Sequence, residues 1–198
     1  MYTERTPAPG RHLNEVISSS LLRDADRFRP RVTDTPVNFT VLCGGTAAQI
    51  LHLFERRIQA ATCNTTYVVH PFHNSIRHIN EFEVIQLLLT YSEMVDDIND
   101  SRGSRHRLVW AECDLPPELS SFFPLIDRIN MRIRAFNHLH RVPPCRPHRV
   151  STPERRGRRA TRLNRWREHV NGTGLGYHIA ERYMYQYVNY FRNYLRHA

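Results

Sequence analysis

The chain has 198 residues, of which 40% are hydrophobic, and this composition fits one globular domain with its own core. No apolar run approaches the roughly 18 residues of a membrane-spanning helix, which argues against a membrane partner. The first ten residues lack the layout of a signal peptide, so we expect a cytosolic or nuclear location.

The positive charge of the chain is concentrated in one segment. The net charge is +9, and all 28 basic residues are arginine. Between Arg141 and His169 ten arginines stand against two acids, whereas Ile79–Asp100 carries six acids and no arginine. Arginine pairs bidentately with phosphate, and a clustered positive charge releases counterions from an anionic polymer. The pattern favours RNA as partner; a general bias against lysine, or a solvated basic loop, would give similar counts.

The first half of the chain alternates helical and extended patterns. After a loose arm at residues 1–10, the spacing of five apolar residues predicts a short helix: Leu13, Val16, Ile17, Leu21 and Leu22. Asn38–Cys43 is short, apolar and β-branched, which predicts a buried strand. A helix is expected over residues 47–60, and a second strand over Thr66–His70.

The second half continues this alternation. Asn80 and Glu83 form a capping-box pattern before a long helix, and Arg107–Glu112 predicts a third strand. Another helix follows Ser120-Ser121, residues 141–169 form an arginine-rich crossing segment, and a last helix is expected from Leu175 to Leu195. Together these elements predict one α/β domain over residues 11–198, a three-layer α/β/α sandwich with a mostly parallel sheet.

Three loops resemble the signature of the SGNH (GDSL-type) hydrolases. In that family a strand near the N-terminus ends in a Gly-x-Ser turn, a Gly-x-Asn-Asp loop follows a later strand, and Asp-x-x-His precedes the last helix. The corresponding places here are taken by Gly44-Gly45-Thr46, by Phe72-His73-Asn74-Ser75 and by the stretch from Asn171 to Gly174. The resemblance implies that Thr46 replaces the serine nucleophile, that Asn74 keeps an oxyanion position, and that Asn171 and Gly174 replace the aspartate and histidine.

These replacements predict a fold without catalysis. A hydroxyl nucleophile needs a base within hydrogen-bond reach and a third group that orients the base. Neither is expected beside Thr46; His178 could act as base only in a displaced position. A weak esterase that uses Thr46 or Ser75 is the alternative. No cofactor and no metal site is expected, because the paired histidines lack further ligands at metal-binding spacing.

Over residues 12 to 198 the chain resembles the OSK domains of insect germ-plasm organisers, both in its missing catalytic triad and in its surplus of arginine. The resemblance implies a non-enzymatic domain that binds germline mRNAs, with a preference for 3′ untranslated regions. It further implies germ-granule proteins as neighbours and a location in cytoplasmic germ-plasm ribonucleoprotein granules.

Two arginine groups are the candidate RNA contacts. The N-terminal group is Arg23, Arg27, Arg29 and Arg31, and the second is Arg155, Arg156, Arg158, Arg159, Arg162 and Arg165. Tyrosines of the last helix could stack on bases or form a half-buried rim of the core. A scaffold that binds proteins through the acidic helix at residues 79–100 or the basic loop is a further alternative.

Overall fold

The computed structural model describes residues 12–19, 22, 25, 36–115, 117–147, 166–168, 177–179 and 181–197. Four parallel strands form its main sheet: Leu13–Ser19 (β1), Asn38–Leu42 (β2), Thr65–His70 (β3) and Arg107–Trp110 (β4). Their order across the sheet is β2-β1-β3-β4. Two short strands, Trp166–Glu168 (β5) and Tyr177–Ile179 (β6), pair antiparallel to each other.

Four helices accompany the sheet: Ala47–Gln59 (α1), Glu81–Arg102 (α2), Phe123–Leu139 (α3) and Glu181–His197 (α4). Short 3-10 turns lie at His73–Ser75 and Pro117–Phe122. The capping box predicted for Asn80 and Glu83 is confirmed, since each residue's side chain accepts the backbone N–H of the other at 2.9 Å. None of the helices in the described part of the chain is long and apolar enough to cross a membrane.

The sheet separates two hydrophobic cores. On one face Ile17, Val69 and Trp110 pack with the buried sides of α1, α2 and α3. On the other face Val16, Val68 and Val109 pack with Met184, Tyr187, Val188 and Phe191 of α4. Successive strand residues point to opposite faces, and covering both faces is typical of a parallel sheet. The predicted three-layer α/β/α sandwich is therefore confirmed.

The helix predicted near the N-terminus is wrong, because residues 13–19 form β1 between β2 and β3. A central strand is buried on both faces and shows no alternation of polar and apolar residues, so the spacing of Leu13, Val16 and Ile17 imitated a helix. Its polar residues are also buried. Glu15 is 8% exposed, and its carboxylate accepts the Thr40 hydroxyl at 2.5 Å and faces the Arg57 guanidinium at 3.2 Å.

The last helix also begins later than predicted. It starts at Glu181 rather than Leu175, because Tyr177–Ile179 is extended and pairs with Trp166–Glu168. Most of the arginine-rich crossing segment lies outside the described residues, as do residues 1–10. The proposed arm and the single domain over residues 11–198 therefore stay predictions.

Asparagine side chains line the outer edge of β4 and its extensions. Asn137 accepts the Trp110 N–H at 3.0 Å and donates to the Trp110 carbonyl at 2.8 Å. Asn99 forms the same pair of bonds with the backbone of His106, and Asn130 with that of Cys113. Each amide thus takes the place of a residue on a neighbouring strand. These contacts could not be expected from propensity, although Asn130 and Asn137 lie two turns apart within the apolar stripe of α3.

Candidate functional site

The carboxyl ends of the parallel strands meet at one edge of the sheet. The chain leaves β1 toward β2 on one side and leaves β3 toward β4 on the other, so the boundary between β1 and β3 is a topological switch point. Open α/β sheets bind ligands in the crevice at such a point. The residues that follow β2 and β3, together with the end of β1, therefore form the candidate site.

The Gly44-Gly45-Thr46 turn has an architectural role in the structure. Gly44 has φ of 71°, a left-handed conformation that favours glycine, and the Gly45 N–H donates to the Leu42 carbonyl at 3.1 Å. Thr46 is the N-cap of α1: its hydroxyl accepts the Gln49 N–H at 3.4 Å, while the Gln49 side chain accepts the Thr46 N–H at 2.9 Å. The Thr46 hydroxyl thus caps the start of α1.

The loop after β3 is tied directly to this turn. The Asn74 amide donates to the Gly45 carbonyl at 3.1 Å, and the Ser75 hydroxyl accepts the Ala47 N–H at 2.7 Å. Both side chains are buried, with 8% of each residue exposed. The structure therefore brings Thr46 and Asn74 into one site, where Asn74 and Ser75 fasten the first turn of α1 to the end of β3.

Two hydrogen-bond donors of this site bond to acceptors within the protein. An oxyanion hole needs preorganised donors aimed at the position where negative charge develops. Here the Gly45 N–H is used in its own turn, and Asn74 gives one amide hydrogen to the Gly45 carbonyl. An acyl oxyanion would compete with the Leu42 and Gly45 carbonyls for these two donors, which lowers its stabilisation.

The end of β1 is a second candidate for the first signature loop, and sequence reasoning missed it. The strand nearest the N-terminus is β1, and it ends in Ser18 and Ser19, with Ser20 next in the sequence. By chain order Ser18–Ser20 is thus a second candidate for the Gly-x-Ser place, beside Gly44–Thr46. Ser18 and Ser19 are fully buried, and their hydroxyls have no hydrogen-bond partner among the described residues. Ser20 lies outside that set.

Two buried histidines, His70 and His73, lie beneath the candidate site. His70 is in register with Ser18, and its Nε2 donates to the Glu112 carbonyl at 3.1 Å. His73 Nδ1 donates to the Asp114 carbonyl at 3.2 Å, and the two rings stack with centroids 6.4 Å apart. Both histidines are at most 1% exposed. They join the end of β3 to the segment after β4 and are closed to a substrate from solvent.

A buried carboxylate lies beside these histidines. Glu112 has a side chain only 2% exposed, and its Oε1 faces the Nε atoms of Arg146 at 3.0 Å and Arg134 at 3.5 Å. Two guanidinium groups compensate the cost of burying this charge. Burial, together with the neighbouring carboxylates of Glu112 and Asp114, raises the pKa of the Cys113 thiol. Among the described residues, no group of three or more acidic, histidine or cysteine side chains could hold a metal ion.

The third signature loop precedes α4 in the sequence. Asn171 and Gly174 lie outside the described residues, so their assignment stays a prediction. Because α4 begins at Glu181, His178 lies in β6 rather than in the helix.

The predicted arginine contacts cannot be located. Every candidate of both groups lies outside the described residues: Arg23, Arg27, Arg29, Arg31, Arg155, Arg156, Arg158, Arg159, Arg162 and Arg165. On α4, Tyr190 and Tyr194 are half-buried and stack on each other at 6.1 Å. The Tyr194 hydroxyl donates to the Pro143 carbonyl at 2.6 Å, and the Tyr190 hydroxyl accepts the Arg146 N–H. These two tyrosines attach residues 143–146 to α4 and pack against the second core, as expected for half-buried residues at its rim.

Comparisons with known proteins identify the fold. No family model matches the sequence, and no curated protein matches it significantly. A member of the lipolytic G-D-S-L family from Veillonella parvula matches with a TM-score of 0.64 at 12% identity, covering 95% of this chain and 100% of that one. The C-terminal domain of Drosophila Oskar matches with a TM-score of 0.63 at 11% identity, covering 92% and 87%. A GDSL-like lipase from Bacteroides thetaiotaomicron gives 0.61 at 12% identity, covering 93% and 85%. The chain therefore has the SGNH-hydrolase fold, which the Oskar domain also has.

Proposed function

We propose that this chain is an RNA-binding domain on an SGNH-hydrolase fold that does not hydrolyse esters. The observation that carries the proposal is the density of arginine between Arg141 and His169, ten against two acids. Single-stranded RNA offers phosphates to guanidinium groups and exposed bases to flat side chains. A segment with this excess charge gains affinity by releasing counterions.

The described ion pairs show which arginines are already used. Arg128 and Arg132 both face Glu81, at 3.2 Å and 2.8 Å, and Arg57 faces Glu15. Within the Arg141–His169 segment, Arg146 pairs with Glu112. The two acids of the segment itself leave most of its arginines without a carboxylate nearby in sequence, which supports an external anion as their partner.

The salt dependence of RNA binding tests this proposal. We expect a labelled single-stranded RNA to bind more weakly as salt rises, with a linear dependence of log affinity on log salt concentration. Replacing Arg158 and Arg159 together by alanine should weaken binding to all sequences alike. It should also reduce the slope by about 1.4, since each contact with single-stranded RNA contributes about 0.7.

The matched control changes the same amount of charge elsewhere. Arg128→Ala with Arg132→Ala removes two arginines that are paired with Glu81 on the surface of α2 and α3. This double variant should keep the slope of the unmodified chain. No binding at low salt, or equal losses in both double variants, would contradict a specific role for the arginine-rich segment.

A weak esterase is the second candidate, and the end of β1 is the observation that favours it. Ser20 has the chain position of the family nucleophile, Asn74 keeps an oxyanion position, and His178 precedes α4. Turnover of p-nitrophenyl acetate that is lost in Ser20→Ala and kept in Thr46→Ala would establish this activity. The engaged donors of the site, the Gly45 N–H and one Asn74 amide hydrogen, instead support no turnover above background.

The resemblance to OSK domains supports germline mRNAs, bound in their 3′ untranslated regions, and a place in cytoplasmic germ-plasm granules beside granule proteins. Crosslinking in germ cells followed by RNA sequencing tests this part. Reads should concentrate in 3′ untranslated regions, and a uniform spread along transcripts would contradict the preference. Partners that survive nuclease treatment would instead favour a protein scaffold, for which the exposed Phe82 and the acids of α2 offer a surface.

A further inference from the structure

A cavity lies at the outer edge of β4, away from the loops compared above. Its volume is about 110 Å³, and it lies between the later turns of α2 and α3. Its polar lining consists of Ser92, Asp96, His106, Arg107, Asn137 and His140, and its apolar lining includes Leu108 and Phe136. Phe136 is half-buried and gives the cavity an aromatic surface, and Asp96 is exposed and places a carboxylate at its wall.

Leu108 of the edge strand lines this gap. The Ala111 N–H bonds to β3, so alternate residues of β4 face β3 and the ones between face outward. Asn99 pairs with the backbone of His106, Asn137 with that of Trp110, and the Cys145 carbonyl accepts the Glu112 N–H at 2.9 Å. Leu108 belongs to the same outward set, and none of the partners just named, Asn99, Asn137 and Cys145, is described as bonding to its N–H or carbonyl.

Because Leu108 alone offers its outward N–H and carbonyl at this cavity, the kind of ligand that can bind to the cavity is limited. A peptide strand adds to a sheet edge through a run of free backbone groups. Here the outward groups on both sides of Leu108 are occupied by Asn99 and Asn137, so a strand could form hydrogen bonds at one residue only. The gap therefore fits a compact planar group that offers one acceptor beside one donor.

The asparagines on this edge show the required pattern. Each uses a carbonyl oxygen and an amino group on one carbon to satisfy the N–H and carbonyl of a single residue. Cytosine and adenine carry the same arrangement, a ring nitrogen that accepts beside an amino group that donates. The second amino hydrogen could reach a carboxylate such as that of Asp96, and the base could lie against Phe136.

We infer that the cavity at Leu108 binds one amino-bearing base, cytosine or adenine, of a single-stranded RNA. The inference rests on the proposed RNA binding and deepens it by naming a site that reads a base, distinct from the arginines that meet phosphates. The Leu108 N–H donates to the ring nitrogen, the amino group donates to the Leu108 carbonyl and to Asp96, and the phosphates stay outside.

Titration followed by nuclear magnetic resonance tests the inference on the full chain. CMP or AMP should shift the Leu108 amide resonance and slow its hydrogen exchange. UMP should bind about fivefold or more weakly, since it presents the opposite donor pattern at the amino position. Ribose 5-phosphate, which lacks a base, should leave Leu108 unchanged. Asp96→Asn should reduce the preference for CMP over UMP, and Asp97→Asn, an equal change of charge at an exposed residue that does not line the cavity, should keep it.

The outcomes separate this inference from the proposed function. RNA binding without any change at Leu108, for all nucleotides up to 10 mM (about ten times a 1 mM dissociation constant), would overturn the base site and leave the RNA proposal in place. A response to CMP at Leu108 without RNA binding at low salt would support the site and refute the RNA proposal. An equal response to N-acetylglutamine amide would overturn the assignment to a base.

Discussion

Replacement of Asn137 by alanine should be among the most destabilising single changes in α3. The residue is 1% exposed, and both polar atoms of its amide bond to the backbone of Trp110, at 3.0 Å and 2.8 Å. Alanine leaves a buried N–H and a buried carbonyl without partners, and each costs about 1–3 kcal/mol. The higher helix propensity of alanine returns about 0.5 kcal/mol, so we expect a net loss of about 2–5 kcal/mol in the free energy of unfolding.

Urea unfolding monitored by circular dichroism measures this loss. With an m value of about 2 kcal/mol/M, the midpoint should fall by about 1–2.5 M. Asn193→Ala, at an exposed position of α4, is the matched control and should leave the midpoint within a few tenths of a molar. A loss below about 1 kcal/mol for Asn137→Ala would refute the reasoning, because it would mean that the backbone of Trp110 finds other partners at little cost.

The variant Asn137→Asp tests the direction in which stability changes with pH. In Asn137→Asp the protonated carboxyl can still accept from the Trp110 N–H and donate to its carbonyl, whereas the ionised form turns an oxygen toward that carbonyl. Burial therefore raises the pKa of the new group in the folded state above its unfolded value. Its stabilising effect is present below the unfolded pKa and is lost as pH rises through the folded pKa. The variant should be more stable near pH 4 than at pH 7 relative to the unmodified chain.

Three further outcomes follow from the structure. Gly45→Ala should destabilise by about 1–3 kcal/mol in the same urea assay, because its Cβ would lie 2.8 Å from a side-chain carbon at the end of β2 and 3.1 Å from a carbonyl oxygen. In the native protein Cys43, which is exposed, should react with a thiol reagent, whereas Cys145 should not, because burial raises the pKa of its thiol. The hydrogen bond from Arg132 holds the pKa of Glu81 below its ordinary value of 4.5, so Arg132→Gln should raise it in a carbon NMR titration. The stability from this pair is present above the unfolded pKa and is lost as pH falls through the folded one.

Each of these outcomes has a clear contradiction. An unchanged unfolding midpoint in Gly45→Ala would show that the Leu42 side chain can move away from the new Cβ without a loss of stability. Equal labelling of Cys43 and Cys145 before unfolding would show that the second core opens to solvent. An unchanged Glu81 titration in Arg132→Gln would assign the lowered pKa to Arg128, the other guanidinium that bonds to this carboxylate.

Local signals predicted the elements that depend on local contacts. The Asn80 and Glu83 pair marked the start of α2, because a helix cap depends on neighbouring residues. The β-branched run from Asn38 marked β2, but the prediction that this strand is buried was wrong, since β2 lies at the edge of the sheet and is at most half-buried. The strand β1 was read as a helix because burial on both faces hides the period of two. Its polar Glu15 is explained only by Thr40 and Arg57, which are distant in sequence.

The candidate site was predictable only in part, for the same reason. The pairing of Asn74 with the Gly44–Thr46 turn follows from family order, whereas the serines at the end of β1 were not considered because β1 had been taken for a helix. The open edge at Leu108 depends on Asn99 and Asn137, which reach β4 from two different helices. No sequence pattern predicts which backbone N–H and carbonyl groups lack a hydrogen-bond partner after the chain has folded.

The asparagine-lined edge also determines what the protein exposes when it begins to unfold. Asn130 and Asn137 both belong to α3, so detachment of this one helix uncovers the backbone of Trp110 and Cys113 at the same time. The uncovered strand, Leu-Val-Trp-Ala from residue 108, is apolar and uncharged, which is the character of segments that aggregate through their edges. Resistance to aggregation is therefore set by how firmly α3 docks, and not by charges or prolines within the strand itself.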